Sequence, residues 1–226
     1  MVSSFLYGIV QSALFTLLAV YATSMNFTIL EISIVTFLLT ISGAIAQFPV
    51  GKISDIYDRR KVIIFSTFGA AIFSILTIMV SRQMYLPDGL ATSKTWFYIF
   101  FILFSFCSLP MFSLILAHTN DYISKDKFVA AGAGLQFTFG LGAMSGPFLC
   151  SIFMDLVGSN GFFVFLFFFH SLIGIFGIYR MRLRETVENP DSQFVAMPQT
   201  ITPAGIELNP TTEPIEDPIK EVNKEI

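Results

Sequence analysis

The chain has 226 residues, of which 54% are apolar and only 13% charged; a soluble domain carries about 25% charged residues. Its 27 phenylalanines are spread over nearly the whole length, and a soluble core of this size could not enclose so much apolar surface. Composition therefore excludes an ordinary soluble enzyme, a nucleic-acid binder and a disulfide scaffold. The net charge of −3 hides an asymmetry: residues 185–226 hold nine acids against Lys220 and Lys224, so the remainder is basic.

Six runs lack Asp, Glu, Lys and Arg altogether: 2–23, 32–51, 62–81, 95–120, 128–154 and 156–179. A helix crossing a bilayer needs about 20 apolar residues, and each run reaches that length. Backbone groups in lipid must be satisfied within the segment, so the runs are expected to be helices. No short-period alternation suggests a barrel. The first run has no preceding basic residue and is too long for the apolar part of a signal peptide, so it is expected to be retained. The fold class expected is an all-α membrane protein, a bundle of six transmembrane helices over 1–184. A disordered acidic, proline-rich tail over 185–226 should follow, since six of the ten prolines lie there.

The basic residues orient the bundle. With a cytoplasmic N-terminus, Lys52, Arg59, Arg60, Lys61, Lys125, Lys127, Arg180, Arg182 and Arg184 lie inside, and only Arg82 and Lys94 lie outside. Both termini are expected in the cytoplasm. Cys107 and Cys150 fall inside the fourth and fifth runs and read as small apolar fillers. The triplet Asn26-Phe27-Thr28 sits hard against the membrane and reads as a chance match to a glycosylation site.

The loop after the second run reads Gly51-Lys52-Ile53-Ser54-Asp55-Ile56-Tyr57-Asp58-Arg59-Arg60-Lys61. Retention of positive charge inside accounts for its basic residues but not for Asp55 and Asp58. Acids there point to pairing with Arg59 or with a helix N-terminus. In the fifth run Ala130, Gly134, Thr138, Gly142 and Gly146 recur every four residues. They form a ridge of small side chains that lets another helix come close, and Pro147 should bend the helix beyond it. Simple packing and a gating role both fit this ridge.

Gly51, Asp55, Arg59 and Arg60 match the signature loop of the major facilitator superfamily, Gly-x-Leu-Ala-Asp-Arg-x-Gly-Arg-Arg, which the chain resembles. Asp58 stands where that pattern has its later glycine, and Asp tolerates a left-handed backbone better than most residues. Gly142-Ala143-Met144-Ser145-Gly146-Pro147 is similar to the superfamily's Gly-x-x-x-Gly-Pro antiporter motif. The resemblance covers nearly all of 1–184 and is to the C-terminal six-helix half of a twelve-helix transporter. It implies two inverted three-helix repeats, here 1–81 and 95–180, with residues 82–94 as the seam. It also implies that Arg59 pairs with an acid closing the fourth span, here Asp121, and that this cluster gates the cytoplasmic side.

Polar groups deep in spans are the candidates for solute handling. Tyr7 and Gln11 share one face of the first run with Tyr21. Ser105, Ser108 and Ser113 surround Pro110, an expected kink, and Gln136 lies on the fifth run. Tyr7, Gln11, Ser108 and Gln136 are thus cavity candidates. Interhelical hydrogen bonding is the plain alternative, at about 0.6 kcal/mol per pair. Glu31 and His170 are the candidates for proton linkage, although an interfacial position is the cheaper explanation of Glu31, and the resemblance implies a supporting sixth helix whose His170 is neutral and hydrogen-bonded to a neighbour.

The function expected is secondary transport of a small solute by alternating access, at the plasma membrane of a bacterium. No cofactor, metal or nucleic-acid partner is expected. A six-helix half supplies one wall of a cavity. Its partner would be a missing N-terminal half, encoded in the same gene or as a separate chain, or a parallel second copy. Two alternatives are a non-transporting scaffold or inactive transporter fragment, and an intramembrane hydrolase built on Ser145 and His170.

Overall fold

The computed structural model describes residues 1–83, 90–124 and 127–183, with side chains left undescribed at 90–92. The tail, residues 84–89, Lys125 and Arg184 lie outside the described residues, and with them the expected disorder of 185–226 and the turn expected at residues 87–89. Among the described residues seven helices follow in order: α1 (Val2–Ser24), α2 (Ile29–Ile56), α3 (Arg59–Gln83), α4 (Leu90–Ser108), α5 (Met111–Asn120), α6 (Phe128–Val157) and α7 (Gly161–Leu183). Six segments of the described residues are long and apolar enough to cross a membrane, because α4 and α5 together form one of them, Ser93–Asn120. The single kinked helix expected over 95–120 is therefore two helices separated at Leu109-Pro110. Pro110 has no backbone N–H to continue the ladder. By contrast, α6 runs unbroken through Pro147.

Local chemistry sets the helix ends. Thr28 accepts from the Glu31 N–H at 3.3 Å while Glu31 Oε2 accepts from the Thr28 N–H at 2.8 Å, a reciprocal cap that starts α2. Asn26 turns the chain between α1 and α2 with φ 59°. It is the one non-glycine with positive φ among the described residues, so Asp58 does not adopt the left-handed conformation expected of it. Asp58 instead starts α3. Its carbonyl accepts from Lys61 and Val62, and its carboxylate accepts from the Arg60 N–H at 3.0 Å.

Helix α1 packs along α6 and against α7, α3 packs on α4 and α7, and α2 packs on α4. The α1–α6 contact is backbone to backbone. A methyl added at Gly142 would meet the Phe5 carbonyl, at Gly146 the Ile9 carbonyl, and at Gly8 the Phe139 carbonyl. Gly134, at the other end of the ridge, is less confined, with only the Met1 side chain near. The core is aromatic: Tyr21 stacks on Phe162 at 5.2 Å and meets Phe163 edge-on at 5.0 Å. Helices α2 and α6 are the least buried spans, and they share no substantial contact with each other.

Candidate functional site

Two polar clusters stand out in this apolar bundle. The first gathers the ends of α2, α3 and α5. Arg59, in the first turn of α3, places Nη2 2.8 Å from Asp55 Oδ1 and Nη1 3.2 Å from Asp121 Oδ1. Its side chain is 3% exposed, that of Asp121 7% and that of Asp55 37%. One guanidinium thus ties the last turn of α2 to the residue after α5. The neighbouring Arg60 turns the other way and donates to Asp58 through Nε and Nη2, at 3.1 and 2.8 Å. Burial alone would push the Asp58 carboxyl up, but the hydrogen bonds from Arg60 and the charges of Arg60 and Lys61 hold it below its ordinary value. Gly51 is buried beneath the cluster, and Ser54 donates back to its carbonyl at 2.7 Å.

The second cluster surrounds the break between α4 and α5. The Tyr7 hydroxyl, on α1, donates to the Ser108 and Leu109 carbonyls at 3.1 and 3.3 Å. These carbonyls stand where the ladder of α4 stops, so Tyr7 supplies a donor to groups left open at the break. Ser108 Oγ lies 2.9 Å from His170 Nε2, and His170 Nδ1 lies 2.8 Å from the Leu166 carbonyl. A ring nitrogen facing a carbonyl carries the proton, so in the neutral ring Nε2 accepts from Ser108. Tyr7, Ser108 and His170 are all 0% exposed. One turn along α1, Gln11 is 2% exposed, and neither atom of its amide has a hydrogen-bond partner. Gln136 lies apart on α6, half-buried.

The remaining candidates separate. Glu31 is at the opposite end of the bundle from Arg59, where Lys94 Nζ reaches its Oε1 at 2.6 Å and sits 5.3 Å from the Phe27 ring centroid. Ser145 donates to the Gly142 carbonyl of its own helix. His170 engages Ser108 instead, so the Ser145–His170 pair that a hydrolase would need is not formed. Among the described residues no three His, Cys, Asp or Glu side chains converge as metal ligands. Sequence reading missed the role of Tyr7 as a cap on the α4–α5 break and the Glu31–Lys94 pair. For the latter, a lone lysine in the outer segments was the available signal, with Glu31, Asp88 and Asp155 as the acids at that end.

The family model of the Major Facilitator Superfamily matches residues 1–218. An uncharacterised MFS-type transporter of Yersinia enterocolitica is 23% identical over 190 residues, covering 84% of this chain and 44% of that protein. The uncharacterised MFS-type transporter YfkF of Bacillus subtilis is 26% identical over 168 residues, 72% of this chain and 39% of its own length. One from Methanocaldococcus jannaschii is 26% identical over 178 residues, 78% of this chain and 42% of its own. The chain thus spans less than half the length of these relatives. No solved structure matches it significantly. The match over nearly the whole chain, together with six helices fit to cross a membrane, makes this a multi-pass membrane protein that belongs to the Major Facilitator Superfamily.

Proposed function

We propose that the chain is the C-terminal half of a secondary transporter, which moves a small solute by alternating access, and that the Arg59 cluster closes its cytoplasmic side. The observation carrying this reading is one buried guanidinium held by carboxylates from two other segments. Such an arrangement is costly once the enclosed partner Asp121 is withdrawn, so it suits an element with two discrete states. The distribution of basic residues supports cytoplasmic termini, and a bacterial inner membrane is the setting we propose.

The uncovered flanks of α2 and α6 support a second six-helix unit beside this one. Phe37 and Phe48 of α2 and Phe137 and Phe148 of α6 all point outward. The unit would be the missing N-terminal half or a parallel second copy. Single cysteines on those faces, in a chain lacking Cys107 and Cys150, distinguish the two. Self-crosslinking in native membranes marks a dimer, and crosslinking only to another polypeptide marks a separate half.

Within this unit we assign Gln11 and Gln136 to the solute. The Gln11 amide is enclosed without a partner, a state that costs about 1–3 kcal/mol and that a bound solute or water would relieve. Tyr7, Ser108 and His170 form the pivot on which α5 carries Asp121, and protonation of His170 would loosen it. Glu31 and Lys94 would latch the outer side, with Glu31 as the other candidate for proton linkage. Gly134, Gly142, Gly146 and Pro147 would let α6 slide along α1.

Gating is tested with Ser54→Cys as the sole cysteine, since Ser54 is 1% exposed and precedes Asp55 in the last turn of α2. A membrane-impermeant maleimide applied from the cytoplasmic side should label it slowly when Arg59 and Asp121 are intact and faster with Arg59→Gln or Asp121→Asn. Equal labelling rates would rule out a gate here.

A further inference from the structure

A cavity of about 510 Å³ opens at the charged end of the bundle, between α1, α3, α5 and α7. It shares Arg60 with the charged cluster at the ends of α2, α3 and α5, but neither the gate nor the solute assignment uses Arg180 or its apolar wall. Its walls divide by chemistry. Ile63, Ile115 and Phe176 form an apolar side, while Arg60, His118 and Arg180 bring two guanidiniums and an imidazole. Among the described residues no Asp or Glu lines it. The carboxylate of Asp58 is turned onto Arg60, and Arg180, exposed in the last turn of α7, makes no ion pair with any described residue.

Three properties narrow the occupant. The volume is that of a ligand pocket, about 300–1,000 Å³. Its basic residues lie where the apolar runs of α3 and α7 end, at Arg59-Arg60-Lys61 and at Arg180 and Arg182, the level at which lipid headgroups are expected. It joins unpaired positive charge to an apolar wall, a combination that suits an amphiphile. A fully hydrated soluble anion would leave Phe176 and Ile63 facing water, whereas a glycerophospholipid covers them with its acyl end and presents phosphate to the guanidinium. We propose that this cavity binds an anionic membrane phospholipid, with its headgroup phosphate held by Arg180 and its glycerol and first acyl carbons against Ile63 and Phe176.

The full chain, purified in a non-ionic detergent, is offered phosphatidylglycerol or phosphatidylcholine of identical acyl chains, and retained lipid is counted by native mass spectrometry. Phosphatidylglycerol should be retained in preference. Arg180→Gln should lower that retention about fivefold, the weight of one interfacial arginine. Arg180→Lys should keep most of it. Lys52→Gln, an exposed basic residue outside the cavity, should leave it unchanged. Inorganic phosphate in large excess should not displace the lipid. Equal retention of the two lipids, equal losses for Arg180→Gln and Lys52→Gln, or displacement by inorganic phosphate would each overturn the proposal, the last by marking a site for soluble anions.

Discussion

Arg59 Nη1 lies 3.2 Å from Asp121 Oδ1, and both side chains are almost sealed from solvent. Removing one partner of so enclosed a pair strands a charge, a loss of about 3–5 kcal/mol. We expect Asp121→Ala to cost that much. We also expect the double substitution Arg59→Gln, Asp121→Asn to cost less than the sum of its single changes, with a coupling of at least ~1 kcal/mol. Asp55 is more open, so Asp55→Ala should cost no more than about 1 kcal/mol. Reversible unfolding in mixed detergent micelles gives all of these values, and additive single changes would show that the pair is not coupled.

The α1–α6 contact predicts opposite outcomes for chemically identical changes on one helix. A methyl at Gly142 or Gly146 runs into backbone carbonyls of α1. Neither helix can yield without shifting its neighbours, so each alanine should destabilise by about 1–3 kcal/mol. At Gly140 nothing lies within 4 Å of the added carbon. Gly140→Ala should therefore be neutral or should stabilise by up to about 1 kcal/mol through helix propensity. The same unfolding assay decides the matter, and equal losses at all three positions would refute the close approach.

The spans were legible because a run of about 20 apolar residues is a local property that tertiary context rarely overrides. The Gly142–Gly146 repeat was legible for the same reason, since its period places it on one helix face. Gly8 gave no such signal: it is one glycine on α1, and its confinement depends on where Phe139 of α6 falls. Pro110 announced a kink, but the carbonyls left at the complete break take their donor from the hydroxyl of Tyr7, far away in sequence. Which of Ser105, Ser108 and Ser113 meets His170 is set by the relative rotation of α4 and α7, and sequence does not carry that rotation. Asp121 could be named in advance as a partner for Arg59 only through the family resemblance. Spacing alone left the acids of the loop as equal choices.

Tyr7 predicts a test of the α4–α5 break. Tyr7→Phe removes only the hydroxyl that caps the Ser108 and Leu109 carbonyls. Interhelical hydrogen bonds in membranes average about 0.6 kcal/mol, with a maximum near 1.7, and this one serves two carbonyls, so a loss near the upper value is expected. Backbone amide exchange should rise in α5 and stay unchanged in α3. Uniform protection in both helices would show that the break holds itself together without α1.

The Asp58–Arg60 pair predicts a response to acid. The Asp58 carboxyl is held below its ordinary value of 3.8, so the folded state binds its proton less readily than the unfolded chain. Its contribution to stability is then fully present above the unfolded value and is lost as pH falls through the folded one. Asp58→Asn keeps an acceptor for the Arg60 N–H but surrenders the ion pair. At neutral pH it should cost about 1 kcal/mol, the scale of a charged group at a helix start. As the pH is lowered through 3.8 and beyond, the native sequence loses the same contribution and the two stabilities should converge. Unfolding midpoints compared from neutral pH downward measure the gap directly. A gap that stays constant into acid would mean that the Asp58 carboxylate contributes through its shape as a cap and not through its charge.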